Sequence, residues 1–193
     1  MAKGNKGGKM IIITAPSGAG KTTIVKHLKS NFPELEFSVS ATTRSKRIGE
    51  KNGRDYYFLT RDKFVELIGE KAFLEWQEVY PGQFYGTLHS EVGRITDRGK
   101  SILFDIDVQG AMNLKQEFKG KSMAIFIKPP SLQILMDRLR NRGSESNEQL
   151  RKRIIKLKEE LSYESAFDRV LVNDDLSNAL FEAENIVDEF LNS

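Results

Sequence analysis

The chain alternates short, continuously apolar runs with longer segments whose apolar residues recur at helical spacing. Residues 10–13, Met-Ile-Ile-Ile, are mostly β-branched and uninterrupted, which predicts a strand buried on both faces. Thr23, Ile24, Val25 and Leu28 then predict a helix over 21–30, ending before Pro33. A second strand is expected over 36–40 and a short aromatic one over 56–59. Thr60 caps a helix carrying Phe64, Leu67 and Ile68. Residues 73–79 alternate like a strand, Pro81-Gly82 turns it, and 84–86 continue a small sheet. Beyond residue 87, helices over 89–98, 109–118, 132–141 and 148–165 alternate with strands over 101–106, 122–127 and 169–172. A closing helix capped by Ser177 runs to 191.

Strands alternating with helices predict an α/β fold with a mostly parallel, doubly wound sheet. Ligands of such sheets bind beyond the strands' carboxyl ends. Residues 34–86 interrupt the pattern as an inserted, mostly antiparallel lobe, with a polar stretch over 41–55 that turns at Asn52-Gly53. The expected organisation is a flexible basic arm over 1–9 and one domain over 10–193. Its core comprises 10–33, 87–137 and 166–193, its lobe about 34–86, and a helical lid about 138–165.

A chain of 193 residues fits one such domain. The absence of cysteine excludes disulfides and thiolate metal sites. No signal core and no run of membrane-spanning length occurs, so a soluble, cytoplasmic protein without a membrane partner is expected. The 30 basic and 27 acidic side chains leave +3, and Lys3, Lys6 and Lys9 account for it. The domain itself is balanced, which argues against a nucleic-acid partner.

The chemistry centres on residues 15–23, Ala-Pro-Ser-Gly-Ala-Gly-Lys-Thr-Thr, between the first strand and the first helix. A phosphate needs several N–H donors converging on one place, and a glycine-rich turn into a helix N-terminus supplies them. Gly18 and Gly20 allow close approach, Lys21 can reach β- and γ-phosphates, and the Thr22 hydroxyl can hold Mg²⁺. The strict phosphate-loop pattern has glycine where this chain has Ala15.

Arg44 and Arg47 follow the second strand, and guanidinium groups hold phosphate in a fork. Ser40, Tyr56 and Tyr85 could add hydroxyl donors, so two phosphorylated ligands are suggested. Glu75 interrupts Phe73-Leu74-Glu75-Trp76 and is either a wet-face residue or a reader of guanine. The guanine edge offers two parallel N–H donors, where adenine presents an acceptor. Thr87 could donate to the guanine carbonyl. Asp105 and Asp107 end a strand, where carboxylates commonly act on Mg²⁺ or its waters, although Asp107 could equally cap a helix. Arg138, Arg142, Arg151 and Arg153 flank a polar break at 143–147, as in a lid that brings arginines onto a transferring phosphoryl group. A solvated charged helix face is the plain alternative. The Asn-Lys-x-Asp signature of GTPases is absent, and His27 and His89 have no obvious ligand partners. A phosphate acceptor needs no general base, since its second pKa lies near ~6.

Together these residues resemble guanylate kinase from about residue 10 to 191. The most specific stretch is Ser38-Val39-Ser40-Ala41-Thr42-Thr43-Arg44 with Arg47, Glu50, Gly53 and Tyr56-Tyr57-Phe58. Phe73-Leu74-Glu75-Trp76, Tyr85-Gly86-Thr87, Asp105-Ile106-Asp107-Val108-Gln109-Gly110, Arg138-Leu139 with Arg142-Gly143, and Val172-Asn173-Asp174-Asp175 follow in family order. The resemblance implies a P-loop kinase core using ATP and Mg²⁺ to phosphorylate GMP and dGMP. It implies that Ser40, Arg44, Arg47, Tyr56 and Tyr85 hold the GMP phosphate and that Glu75, Thr87 and Asp107 read guanine. Residues 15–23 (Ala15, Pro16, Ser17, Gly18, Ala19, Gly20, Lys21, Thr22 and Thr23) would hold ATP phosphates, with Asn173 near the adenine. Arg138, Arg142 and Arg153 would be lid and catalytic arginines beside Lys21 and Arg44, and Asp105 would sit with Thr22 at the Mg²⁺. Two rivals are a catalytically inactive module of the same fold, binding a phosphorylated or acidic partner, and a kinase for another phosphorylated small molecule. Lys21 and Thr22 argue against the first, Glu75 and Thr87 against the second.

Overall fold

The computed structural model describes residues 8–131, 133–136 and 147–193, with 147–153 described by backbone alone. Five strands form a parallel sheet in the order β2-β7-β1-β8-β9: β1 (Met10–Thr14), β2 (Leu35–Phe37), β7 (Ser101–Asp105), β8 (Ser122–Lys128) and β9 (Arg169–Val172). Successive side chains of a strand point to opposite faces, and β1 shows the consequence. Ile11 and Ile13 pack with Ile24, Leu28 and Val187, under α1 (Lys21–Asn31) and α6 (Leu176–Asn192). Ile12 packs on the other face with Ile95, Phe104 and Leu114, under α3 (His89–Thr96) and α4 (Val108–Glu117). The three isoleucines are fully buried, as the uninterrupted run required.

A second, mixed sheet has the order β4-β3-β6-β5: β3 (Ala41–Thr42), β4 (Tyr57–Phe58), β5 (Phe73–Tyr80) and β6 (Gln83–Leu88). Its β3–β4 pair is parallel and its other pairs antiparallel. Phe64 of α2 (Arg61–Gly69) stacks on Phe73 at 4.3 Å and joins Ala41 and Phe84 in a separate small core. Thr60 caps α2 as expected, its hydroxyl accepting from the Lys63 N–H at 3.2 Å.

Several boundaries differ from the sequence reading. The strand expected over 36–40 ends at Phe37 as β2; residues 38–40 cross without strand pairing to the second sheet, where β3 begins at Ala41, in a stretch expected to be loop. The strands of the lobe therefore lie within 41–88, and β2 belongs to the parallel sheet. Asp175 caps α6 in place of Ser177, its carboxylate accepting from the Asn178 N–H at 2.9 Å. The helix expected to reach 165 is α5 (Asn147–Ser162), followed by a 3₁₀ turn at Glu164–Ala166. The break at 143–147 lies, except for Asn147, outside the described residues, as do Arg138 and Arg142. Among the described residues no helix is long and apolar enough to cross a membrane.

Candidate functional site

Residues 15–20 leave β1 at the carboxyl edge of the parallel sheet and turn directly into α1. Gly18 and Gly20 have φ of 93° and 94°, in the left-handed region that glycine tolerates without strain. Ala15 does not share that conformation and packs its methyl group into the core, which explains how the loop dispenses with glycine there. The Asn173 amide donates to the Ala19 carbonyl at 2.7 Å and lies directly behind Gly20. A Cβ on Gly20 would meet that amide at 2.2 Å. Asn173, which the resemblance sets beside the adenine, thus has its side chain braced against the phosphate loop. We expect Asn173→Ala to raise the KM for ATP about tenfold, because a buried carbonyl loses its donor and the turn its support. Steady-state kinetics at saturating acceptor would measure this.

Lys21 opens α1, with its ammonium 2.7 Å from the Asp105 carboxylate and donating to the Ile106 carbonyl at 2.8 Å. A phosphate-loop cavity of about 320 Å³ reaches from Ser17 to Lys21 and Thr22. Lys21 and Thr22 also line an adjoining cavity of about 210 Å³, with Glu75, Tyr56, Tyr85 and Ser40. A third, of about 430 Å³, carries Arg44 and Arg47 and shares Tyr56, Tyr85 and Asp105 with the second. The phosphate loop, the Glu75 chamber and the arginine chamber therefore form one series, with Lys21 and Thr22 at the first junction. A larger cavity of about 500 Å³ opens between β5 and α4, and among the described residues Glu75 is the only predicted site residue on its wall.

Glu75 and Thr87 face each other across β5 and β6, and the Thr87 hydroxyl donates to Glu75 Oε1 at 2.7 Å. Burial pushes the Glu75 carboxyl up to about 7, against the pull of the Thr87 hydrogen bond. Gly110 makes the position possible. A Cβ there would meet Glu75 Oε2 at 2.8 Å. In the sequence Gly110 closes the run 105–110, but nothing there shows that a side chain at this position would meet Glu75. Of the roles that the sequence left open for Asp107, the structure shows the helix cap. It caps α4 through the Gly110 N–H at 3.0 Å and lines the Glu75 chamber.

Arg44 forms a two-pronged pair with Glu50, at 2.7 and 3.1 Å, and lies over the Tyr56 ring at 5.2 Å. The pair holds the Glu50 carboxyl below the usual range. Burial pushes the Tyr56 hydroxyl up to about 12, so it stays a hydrogen-bond donor at neutral pH. Ser40 is buried at the foot of the same chamber. The backbone of Arg153 lies in α5, and its side chain is outside the described set.

Two further carboxylates lie outside the predicted site set, Glu160 having read as part of a solvated helix face. Glu160 of α5 borders the phosphate-loop cavity, and burial raises its carboxyl. Glu91 is buried behind the lobe.

The family model described as Guanylate kinase matches residues 7–190. The guanylate kinase of Bacteroides thetaiotaomicron is 43% identical over 185 residues, covering 96% of this chain and 91% of that protein. The guanylate kinase of Chlorobaculum tepidum is 45% identical over 184 residues, covering 95% and 94%. A crystal structure of guanylate kinase from Anaplasma phagocytophilum superposes with a TM-score of 0.74 at 32% identity, covering 94% of this chain and 85% of that one.

Proposed function

Since the chain belongs to the guanylate kinase family, we propose that it transfers the γ-phosphoryl group of ATP directly to GMP, giving ADP and GDP. The observation that carries this reading is the shared junction at Lys21 and Thr22. A phosphate loop opens on one side of it, and on the other a chamber walled by Glu75, whose carboxylate accepts from the buried Thr87 hydroxyl behind it. ATP phosphates on the loop and GMP in the second and third chambers would meet at Lys21.

The residues divide the work. Backbone N–H groups of 17–23 and Lys21 hold the donor phosphates. Glu75 accepts the two guanine N–H groups, and Thr87 and Asp107 complete the base contacts. Arg44, Arg47, Ser40, Tyr56 and Tyr85 hold the acceptor phosphate, with Glu50 fixing one edge of the Arg44 guanidinium. Lys21 then neutralises charge that builds as the phosphoryl group moves, and no covalent intermediate is required. Thr22 and Asp105, an oxygen pair beside the loop, suit a Mg²⁺ that takes its remaining ligands from phosphate and water. When bound, the ion would draw charge from the phosphate oxygens. Arg138, Arg142 and Arg153 are assigned lid and catalytic roles on the sequence alone. Closure would exclude water as a rival acceptor. We assign dGMP as an alternative acceptor and purine nucleotide metabolism in the cytoplasm as the setting.

The test is ADP release with Mg²⁺ and ATP, comparing GMP, dGMP, AMP, CMP and UMP. Turnover confined to GMP and dGMP is expected. Equal turnover of GMP and AMP would defeat the base assignment. No turnover by folded protein would favour the inactive binding module.

Glu75 adds a pH prediction. Its carboxyl titrates near 4.5 unfolded and about 7 folded. The stability it contributes is full below 4.5 and is lost as pH rises through about 7, a change of about 3 kcal/mol. GMP affinity should run the other way, rising with pH until the carboxylate is fully formed above about 7, because guanine donates to the charged form. Calorimetric titration with GMP over pH 5.5–8.5 would measure it, on the order of tenfold per pH unit well below the midpoint.

A further inference from the structure

Between the two sheets the chain must cross at 38–40, where it has no continuous ladder. Ser38 still donates to β7, at the Leu103 carbonyl, and the Ser40 carbonyl accepts from the Tyr57 N–H. The intervening Val39 N–H has no strand to pair with. It donates instead to Glu91 Oε1 at 2.9 Å. Glu91 stands in the first turn of α3, immediately after the strand that carries Tyr85 and Thr87. Its second oxygen accepts from the Tyr57 hydroxyl at 3.1 Å. Arg94, one turn on, forks across both oxygens at 2.8 and 2.9 Å.

The residues that Glu91 grips are the neighbours of proposed phosphate ligands. Val39 precedes Ser40, and Tyr57 follows Tyr56. Alternation along an extended chain sends Ser40 and Tyr56 the opposite way from their neighbours, into the acceptor chamber. One carboxylate thus holds the backbone N–H of one segment and the side-chain hydroxyl of the other, and in each segment the adjacent residue lines the acceptor chamber. Glu91 is 2% exposed, and although burial pushes its carboxyl upward, Arg94, the Val39 N–H and the Tyr57 hydroxyl hold it below the usual range. The carboxylate is buried but its Arg94 partner is half-exposed, so the pair adds little net stability while its four hydrogen bonds fix geometry.

We propose that Glu91 is a positioning residue for the acceptor, setting Ser40 and Tyr56 against the GMP phosphate without touching it. The inference rests on the preceding functional reading. Its effect should fall on one substrate. The phosphate loop is built from other elements, so ATP binding should not feel the loss of Glu91.

The experiment is steady-state kinetics of Glu91→Gln and Tyr57→Phe, with thermal midpoints recorded alongside. Glutamine keeps the volume but cannot accept from all four donors. We expect the KM for GMP to rise about tenfold in Glu91→Gln and about threefold in Tyr57→Phe, with the KM for ATP unchanged. A role in stability alone would lower the thermal midpoint and the active fraction, and leave the KM for GMP as it was. That result, or an equal rise in both KM values, would overturn the inference. Tyr57→Phe removes one hydroxyl and gives the same test should Glu91→Gln fail to fold. Absence of GMP turnover by the unaltered protein would overturn the functional reading and this inference together. Normal turnover with unaltered KM values in both variants would overturn this inference alone.

Discussion

Lys21→Ala is expected to lower kcat by about 10²–10³, on the scale of removing one charge-stabilising donor from a catalytic site. Lys21 lies where the phosphate-loop cavity meets the Glu75 chamber, so in the proposed reaction its ammonium would serve the moving group more than either resting substrate. The loss should appear in kcat and kcat/KM together, with the KM for GMP within a few-fold of normal. Asp105 and the Ile106 carbonyl would lose their shared cation, but both border an open chamber where water can replace it. The fold should therefore survive, and thermal melting would show it. Arginine should not rescue, because its planar fork is longer and cannot follow a point charge between the two chambers. A Lys21→Ala protein that kept its kcat and lost only GMP affinity would place Lys21 with the acceptor.

Glu75→Gln is expected to lower kcat/KM for GMP by about 10²–10³ while raising stability above pH 7. The two effects have one origin. The carboxylate is buried, and Thr87 alone among the described partners donates to its side chain by hydroxyl, so charging it without a base is unfavourable. Glutamine is neutral and removes that cost. It also replaces one acceptor with a donor, which then faces a guanine N–H. Adenine presents an acceptor and a donor on the same edge, which an amide can match. Selectivity for GMP over AMP should fall by at least about 10², partly through improved AMP turnover. Thermal melts at pH 8 and acceptor kinetics on the same preparation would check both signs. Lower stability together with unchanged selectivity would make Glu75 a plain structural residue.

The parallel core was legible because β1, β7 and β8 are buried on both faces and leave uninterrupted apolar runs. The phosphate loop was legible for a related reason: Gly18, Gly20 and Lys21 are constrained by backbone geometry and charge, which few other residues satisfy. Glu75 could be noticed because a carboxylate breaks an apolar run. Its function could not be decided, since burial and the Thr87 partner depend on a strand pairing that alternation does not specify. The crossing at 38–40 was misread as strand because its local pattern is extended throughout. Only the change of partner, from Leu103 to Tyr57, divides it. Asp175 and Ser177 are both good caps, and sequence alone cannot place the first turn to within two residues. Glu91 left no signal at all, because a glutamate at the start of a helix is ordinary until the neighbouring segment is seen to lack a strand partner.

The account turns on direct transfer from a donor on the phosphate loop to an acceptor in the Glu75 and Arg44 chambers. The measurement that tests it most directly is a reaction with γ-labelled ATP and GMP, followed by separation of nucleotides, free phosphate and protein. The account predicts label in the β-phosphate of GDP, in step with ADP, with none on the protein. Label released as inorganic phosphate at the same rate with or without GMP, or retained on the protein, would contradict it.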